Sequence, residues 1–162
     1  MSTSKKLIYI ASPFFNSAEL ARVSRIESFC KGHALMPLSP REFLVLKPDA
    51  NKGDRKAVFY KNCDWIKKSD LVLACMDDRD TGTVWEAGYA YGISKPVVAF
   101  SENPSDKVNI MLAQACCGWI RGWDCLEKFL EGRMLGYAEV EERGELWDFD
   151  WQEAQQWKNE IF

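Results

Sequence analysis

No stretch of this chain approaches the roughly 18 consecutive apolar residues that a membrane-spanning helix needs. Nor does a secretory core precede the first apolar run, because Met1-Ser-Thr-Ser-Lys-Lys6 passes directly into Leu7-Ile-Tyr-Ile10. Together these absences lead to the expectation of a cytosolic protein with no membrane partner. A basic block is missing as well: 21 Lys and Arg are mixed with 24 Asp and Glu, for a net charge of -3. A nucleic-acid backbone is therefore not an expected partner. Histidine is limited to His33, between Gly32 and Ala34, and no Cys-x-x-Cys occurs. No metal site is expected, and His33 reads as a solvated turn residue. The six cysteines at 30, 63, 75, 116, 117 and 125 lie mostly inside apolar segments. Without a secretion signal they read as buried free thiols rather than a disulfide framework. No internal repeat and no linker divides the chain.

What is present is an ordinary globular composition, 47% apolar and 13% aromatic over 162 residues, enough for one domain with a sizeable core. The organising stretch is Asp70-Leu-Val-Leu-Ala-Cys-Met-Asp-Asp-Arg-Asp80-Thr-Gly-Thr-Val-Trp-Glu86-Ala-Gly-Tyr-Ala-Tyr91. Its apolar run, 71–76, has the length and charged rim of a strand buried on both faces. An acidic turn with Gly82 follows, then a helical segment over 84–93, then Ser94-Lys95-Pro96 as a stop. Strand, acidic turn and helix make up the crevice at the carboxyl end of a parallel strand, where open α/β sheets bind ligands. If the helix begins near Thr83, Glu86 falls in its first turn, where the positive helix end favours an ionised carboxylate.

The remaining pattern alternates in the same way. A first strand over 7–12 is ended by Pro13. A helix follows from Ser17, read as the N-cap, to Lys31, with Leu20, Val23, Ile26, Phe29 and Cys30 at helical spacing and Gly32 as its end. A second strand covers 34–38. A long polar connection, 39–55, has the character of a functional loop or lid. A helix over 58–68 directs Val58, Phe59, Asn62 and Ile66 inward, and further strands are expected at 96–100 and 116–121. A polar turn over 101–106 and helices near 108–114 and 123–131 complete the body. Alternation of this kind predicts an α/β fold, a doubly wound, flavodoxin-like five-stranded parallel sheet with helices on both faces. Residues 1–131 form that domain. The acidic extension 132–162 carries Trp147, Trp151 and Trp157 and is expected to dock on the body or on a neighbouring subunit.

Asp80 and Glu86 stand six residues apart across a turn and a helix start. Two carboxylates at a sugar-sized crevice suit glycosyl chemistry, in which one attacks an anomeric carbon. The alternative makes Asp80 a cap and Glu86 part of a solvated helix face. A phosphate site at Asp80-Thr-Gly82-Thr is disfavoured, because Asp77, Asp78 and Asp80 repel an anion and no glycine-rich signature or Lys-Ser/Thr follows.

On Tyr9-Ile-Ala-Ser-Pro-Phe14, Asn62 through Asp70-Leu-Val-Leu-Ala74, Asp80-Thr-Gly-Thr-Val-Trp-Glu86-Ala-Gly-Tyr-Ala90, Lys95-Pro-Val-Val98 and Val108-Asn109-Ile-Met-Leu-Ala-Gln114, the chain resembles the nucleoside 2-deoxyribosyltransferases. The likeness covers about residues 5 to 130. It implies base exchange on 2'-deoxynucleosides with free nucleobases as partners, no cofactor, and a homo-oligomer with a shared active site. In that likeness Glu86 matches the nucleophile that attacks C1' and holds the sugar as an ester, and Tyr9 orients it. Asp80 matches the residue that binds a sugar hydroxyl, and the backbone at Ala11 and Ser12 lies beside the sugar. Gly82 belongs to the same turn, and Asn109 matches an asparagine supplied by a neighbouring subunit. Many members have an aspartate where this chain has Asn62, which can hydrogen-bond a base edge, and the proton donor then falls to Asp80 or Asp77. Related N-glycosidases of nucleoside monophosphates favour serine at position 80, so Asp80 argues for free nucleosides. Release of the sugar to water is the alternative activity. A catalytically idle nucleoside-binding domain is an alternative of another class.

Overall fold

The computed structural model describes residues 5–103 and 109–131. Along them run β1 (Leu7–Ala11), α1 (Ser17–Gly32), β2 (Met36–Leu38), α2 (Pro40–Phe43), α3 (Lys52–Lys68) and β3 (Leu71–Cys75). Then come α4 (Thr81–Gly92), β4 (Val97–Ser101), α5 (Ile110–Ala115), β5 (Gly118–Arg121) and α6 (Trp123–Glu131). The five strands form one parallel sheet in the order β2-β1-β3-β4-β5. That is the flavodoxin-like order, and the direction of winding reverses between β1 and β3. Among the described residues no helix is long and apolar enough to cross a membrane.

The two-residue period of the strands sorts the core into two layers. One face carries Ile8, Ile10, Leu71, Leu73, Val98, Phe100 and Ile120 against Val23 and Ile26 of α1 and Leu126, Phe129 and Leu130 of α6. The other carries Tyr9, Ala11, Val72, Ala74, Val97, Ala99 and Trp119 against Ile66 of α3 and Ala87 and Ala90 of α4. On this second face Ala11 pairs with Ala74 and Ala74 with Ala99, which makes a row of methyl groups across three central strands. Against that row α4 presents its own small residues, Ala87 and Ala90, both fully buried. Small residues on both sides let helix and sheet approach closely, and this brings the side chain before Ala87 over β1.

Several helix boundaries differ from the sequence expectation, each for a local reason. Asn16, not Ser17, caps α1, in a reciprocal capping box with Glu19. Gly32 stays helical, and the left-handed turn falls on Ala34 at φ 59. His33, expected in solvent, is the half-buried C-cap of α1. Leu20 is exposed, while Glu19, Arg22 and Glu27 are buried beside it. The connection 39–55 contains α2, and α3 starts at Lys52 because Asn51 and Asp54 form a second capping box. On α3 the core-facing residues are Cys63 and Ile66, whereas Phe59 is exposed. The six cysteines are free; 30, 63, 75 and 125 are buried, and 116 and 117 are half-buried. Residues 104–106 of the expected polar turn and all of the extension 132–162 lie outside the described residues.

If the alanine row sets the height of α4, Ala87→Leu overpacks that layer and lowers stability by about 1–3 kcal/mol. Urea denaturation checks this, and an unchanged midpoint would show that α4 does not rest on the sheet at Ala87.

Candidate active site

Tyr9 lies in the middle of β1 with its ring in the α4 layer and no exposure to solvent. A buried phenol needs a partner for its hydroxyl. Tyr9 Oη donates to Glu86 Oε1 at 2.6 Å, a length typical of a hydrogen bond to a carboxylate. Glu86 is the sixth residue of α4, because Asp80 rather than Thr83 opens the helix. The carboxylate is therefore in the second turn, beyond the reach of the helix end that the sequence reading invoked. Its electrostatics come from tertiary surroundings instead. Burial pushes the Glu86 carboxyl up to about 7, the Tyr9 hydrogen bond pulls it down, and the charge of Asp80 pushes it up. Tyr9 is raised well above the ordinary phenol range by burial and by the Glu86 charge, so it keeps its proton and serves as donor.

Asp80 is the N-cap of α4, with Oδ2 accepting from the Thr83 backbone N–H at 2.7 Å and from Thr83 Oγ1 at 3.0 Å. It does what the alternative reading required of a cap and also acts electrostatically on Glu86. A Cβ at Gly82 would meet Asp80 Oδ2 at 3.0 Å, so the glycine leaves room for the carboxylate to fold over the first turn. The turn enters through Arg79 in the left-handed region at φ 49, a conformation uncommon for a residue with a side chain.

Other expected site residues are distributed unevenly. Ala11 and Ser12 are buried at the carboxyl end of β1, with Ser12 Oγ donating to the Pro13 carbonyl at 3.1 Å. Asn62, half-buried on α3, has a buried Oδ1 with no hydrogen bond among the described residues. Asn109 is exposed and caps α5, its Oδ1 accepting from Met111 N–H at 2.9 Å. None of its described contacts joins it to Tyr9 or Glu86. Asp77 is turned toward α1, 3.6 Å from Arg22, and not toward Glu86. One neighbour escaped the sequence reading: Cys63, whose thiol is raised by burial and by the charge of Glu86. The available signal was its place one residue after Asn62 on an inward helix face. Among the described residues no group of three or more His, Cys, Asp or Glu could hold a metal ion.

A half-buried carboxylate held by a buried phenol at the winding reversal of a parallel sheet lies where such folds bind small polar ligands. A family model described as nucleoside 2-deoxyribosyltransferase matches residues 8–144, and the chain belongs to that family. Among solved structures it is similar to the 2-deoxyribosyltransferase of Bacillus psychrosaccharolyticus at 32% identity and a TM-score of 0.67, covering 75% of this chain and 90% of that one. A conserved protein from Enterococcus faecalis shares the fold at 21% identity and a TM-score of 0.65, covering 80% and 99% of the two chains. So does a CMP N-glycosidase from Clostridium botulinum, at 17% identity and a TM-score of 0.54, covering 81% and 100%. No curated protein matches the chain.

Two outcomes follow from the Tyr9–Glu86 pair. Tyr9→Phe removes the bond that lowers the Glu86 pKa, so Glu86 titrates above about 7 in the variant; carboxyl-carbon NMR reads the midpoint directly. Glu86 also affects stability. Its folded pKa of about 7 exceeds the ordinary 4.5, so between those values the folded state holds a proton that the unfolded chain releases. Stability from this group is thus present below pH 4.5 and is lost as pH rises through about 7. Glu86→Gln abolishes that loss and stabilises the protein at pH 8 by about 1–3 kcal/mol, with little effect at pH 4. Equal destabilisation at both pH values would contradict it.

Proposed function

We propose that this protein is a nucleoside 2-deoxyribosyltransferase that exchanges the base of 2'-deoxynucleosides through a covalent deoxyribosyl ester on Glu86. The observation that carries the reading is the 2.6 Å hydrogen bond from Tyr9 Oη to Glu86 Oε1. It holds one carboxylate oxygen and leaves the other free to attack. In the first half-reaction Glu86 forms a bond to C1' as the C1'–N bond to the base breaks. The base departs with a proton taken from water at the mouth of the site, since Asp80 is an acceptor toward Thr83 and the sugar and Asp77 is engaged with Arg22. In the second, the nitrogen of an incoming base forms the new bond to C1' and frees the Glu86 carboxylate. Two displacements at one carbon retain its configuration.

The other residues take supporting parts. Asp80 Oδ2 is held by Thr83, and Oδ1, which has no hydrogen bond among the described residues, accepts from a sugar hydroxyl. Ala11 and Ser12 line the sugar at the end of β1, and Gly82 lets the Asp80 carboxylate adopt its place. The unpartnered Asn62 Oδ1 suits an N–H on a base edge. Asn109, exposed at the head of α5, is available to the site of a second copy, which makes the protein a homo-oligomer with shared sites. The anionic Asp80 disfavours a 5'-phosphate and favours free nucleosides. Hydrolysis, with water as the second acceptor, is the competing activity; the fold shared with a CMP N-glycosidase keeps it in view.

Quenching the protein with a deoxynucleoside and weighing the intact chain tests the intermediate: one added deoxyribosyl unit should map to Glu86. A labelled base that enters the nucleoside without net sugar release identifies transfer. Sugar accumulating with no exchange would identify hydrolysis and overturn this reading. Glu86→Ala should lower turnover on the order of a thousandfold or more while deoxynucleoside binding stays measurable. Because attack needs the ionised form, activity should rise with pH through about 7.

A further inference from the structure

Arg22 has no part in the chemistry above, yet it is buried to 7% exposure in the middle of α1. A buried guanidinium requires partners, and Arg22 has three carboxylates. Nη1 donates to Asp78, Nε donates to Glu102 Oε2 at 2.9 Å, and Asp77 Oδ2 lies 3.6 Å from Nε. Burial alone would lower the Arg22 pKa, but the bonds to Asp78 and Glu102 outweigh it and hold the group firmly charged. The carboxylates are themselves tied down. Asp77 Oδ1 accepts from the backbone N–H groups of Glu102 at 2.8 Å and Asn103 at 3.4 Å, and Glu102 Oε1 accepts from Trp123 Nε1 at 3.0 Å. One side chain from the opposite layer of the sheet thereby joins the turn after β3 to the segment after β4.

That turn is the one that matters. It passes through Arg79 in its left-handed conformation and ends on Asp80, the cap of α4 and the residue nearest in sequence to the Glu86 helix. Arg22 is the cation that meets all three carboxylates, so removing it takes away the charge they share. The carboxylates would then drive apart the two segments that the guanidinium joins. Tyr9 and Glu86, by contrast, are anchored on β1 and α4 and bond to each other without help from Arg22. We propose that Arg22 is a positioning residue that locks the 77–80 turn against the segment after β4 and so presents Asp80 to the sugar. The proposal deepens the transferase reading and rests on it for the sugar contact alone. Lysine, a single point donor, cannot reproduce the fork that serves Asp78 and Glu102 at once.

The test uses the full chain as wild type, Arg22→Lys, Arg22→Gln and Arg22→Gln/Asp78→Asn. In Arg22→Gln the amides of Glu102 and Asn103 should exchange with solvent at least about tenfold faster, while β1 and α4 keep their protection. KM for a deoxynucleoside should rise about tenfold with kcat changed less than about threefold, since the nucleophile is untouched and the sugar contact is loosened. Arg22→Lys should fall between, and adding Asp78→Asn should recover part of the loss by removing a like charge. If Arg22→Gln does not fold, Arg22→Lys carries the same comparison. Faster exchange spread evenly over the sheet, or a lower melting temperature with KM unchanged in the folded protein, would make Arg22 a structural residue only and overturn the proposal. A wild type that exchanges no bases would sink the transferase reading, while the amide comparison would still decide whether Arg22 locks the turn.

Discussion

A single hydrogen bond, Tyr9 Oη to Glu86 Oε1, joins the two elements on which the site is built. Each group explains the state of the other. The phenol is buried and needs an acceptor, and the half-buried carboxylate supplies it. Desolvation and the charge of Asp80 raise the carboxyl, while the phenol offsets part of that rise. The outcome is a carboxyl raised toward neutrality with one oxygen held by the phenol. A solvated glutamate would titrate lower and would lack a fixed direction.

The sheet makes that bond possible. Tyr9 points into the α4 layer because strand residues alternate faces, and Ile8 and Ile10 on either side point into the α1 layer. The alanine row Ala11, Ala74 and Ala99 lets α4 settle low enough for Glu86 to reach Tyr9. At the carboxyl ends of β3 and β4, Arg22 crosses from the other layer and fixes the turn that starts α4. The two layers therefore divide the work: the α4 side holds the Tyr9–Glu86 pair, and the α1 side holds the turn beside it.

Much of this was legible in the order of residues. The run 71–75 is apolar without alternation because β3 is central and covered on both faces, and such a strand announces itself. Glu86, Tyr9 and Asp80 could be matched through a spaced motif, and membership in the nucleoside 2-deoxyribosyltransferases bears out that resemblance. Helix starts were less legible. At α1 both Asn16 and Ser17 are able caps, and only the reciprocal bonds with Glu19 select Asn16; at α3 the partner of Asn51 is Asp54 in place of the Glu or Gln of the usual box. Periodicity on α1 found Val23, Ile26, Phe29 and Cys30 but missed that Leu20 is exposed and that Glu19, Arg22 and Glu27 are buried, the first bonded to backbone N–H groups and the others to charged partners farther along the chain. Helical spacing alone cannot foresee those partners.

By itself the sequence determined the alternation of strands and helices, the parallel sheet, the central buried strand and the family, because these depend on local pattern and motif. Only the tertiary structure decided that Glu86 sits in the second helical turn, that burial and not the helix end raises its carboxyl, that Cys63 feels its charge, and that Arg22 pairs with the turn before α4. The physical reason is that desolvation and charge pairing depend on distances between residues such as 9 and 86, or 22 and 102. Those distances exist only once the sheet has brought its strands together.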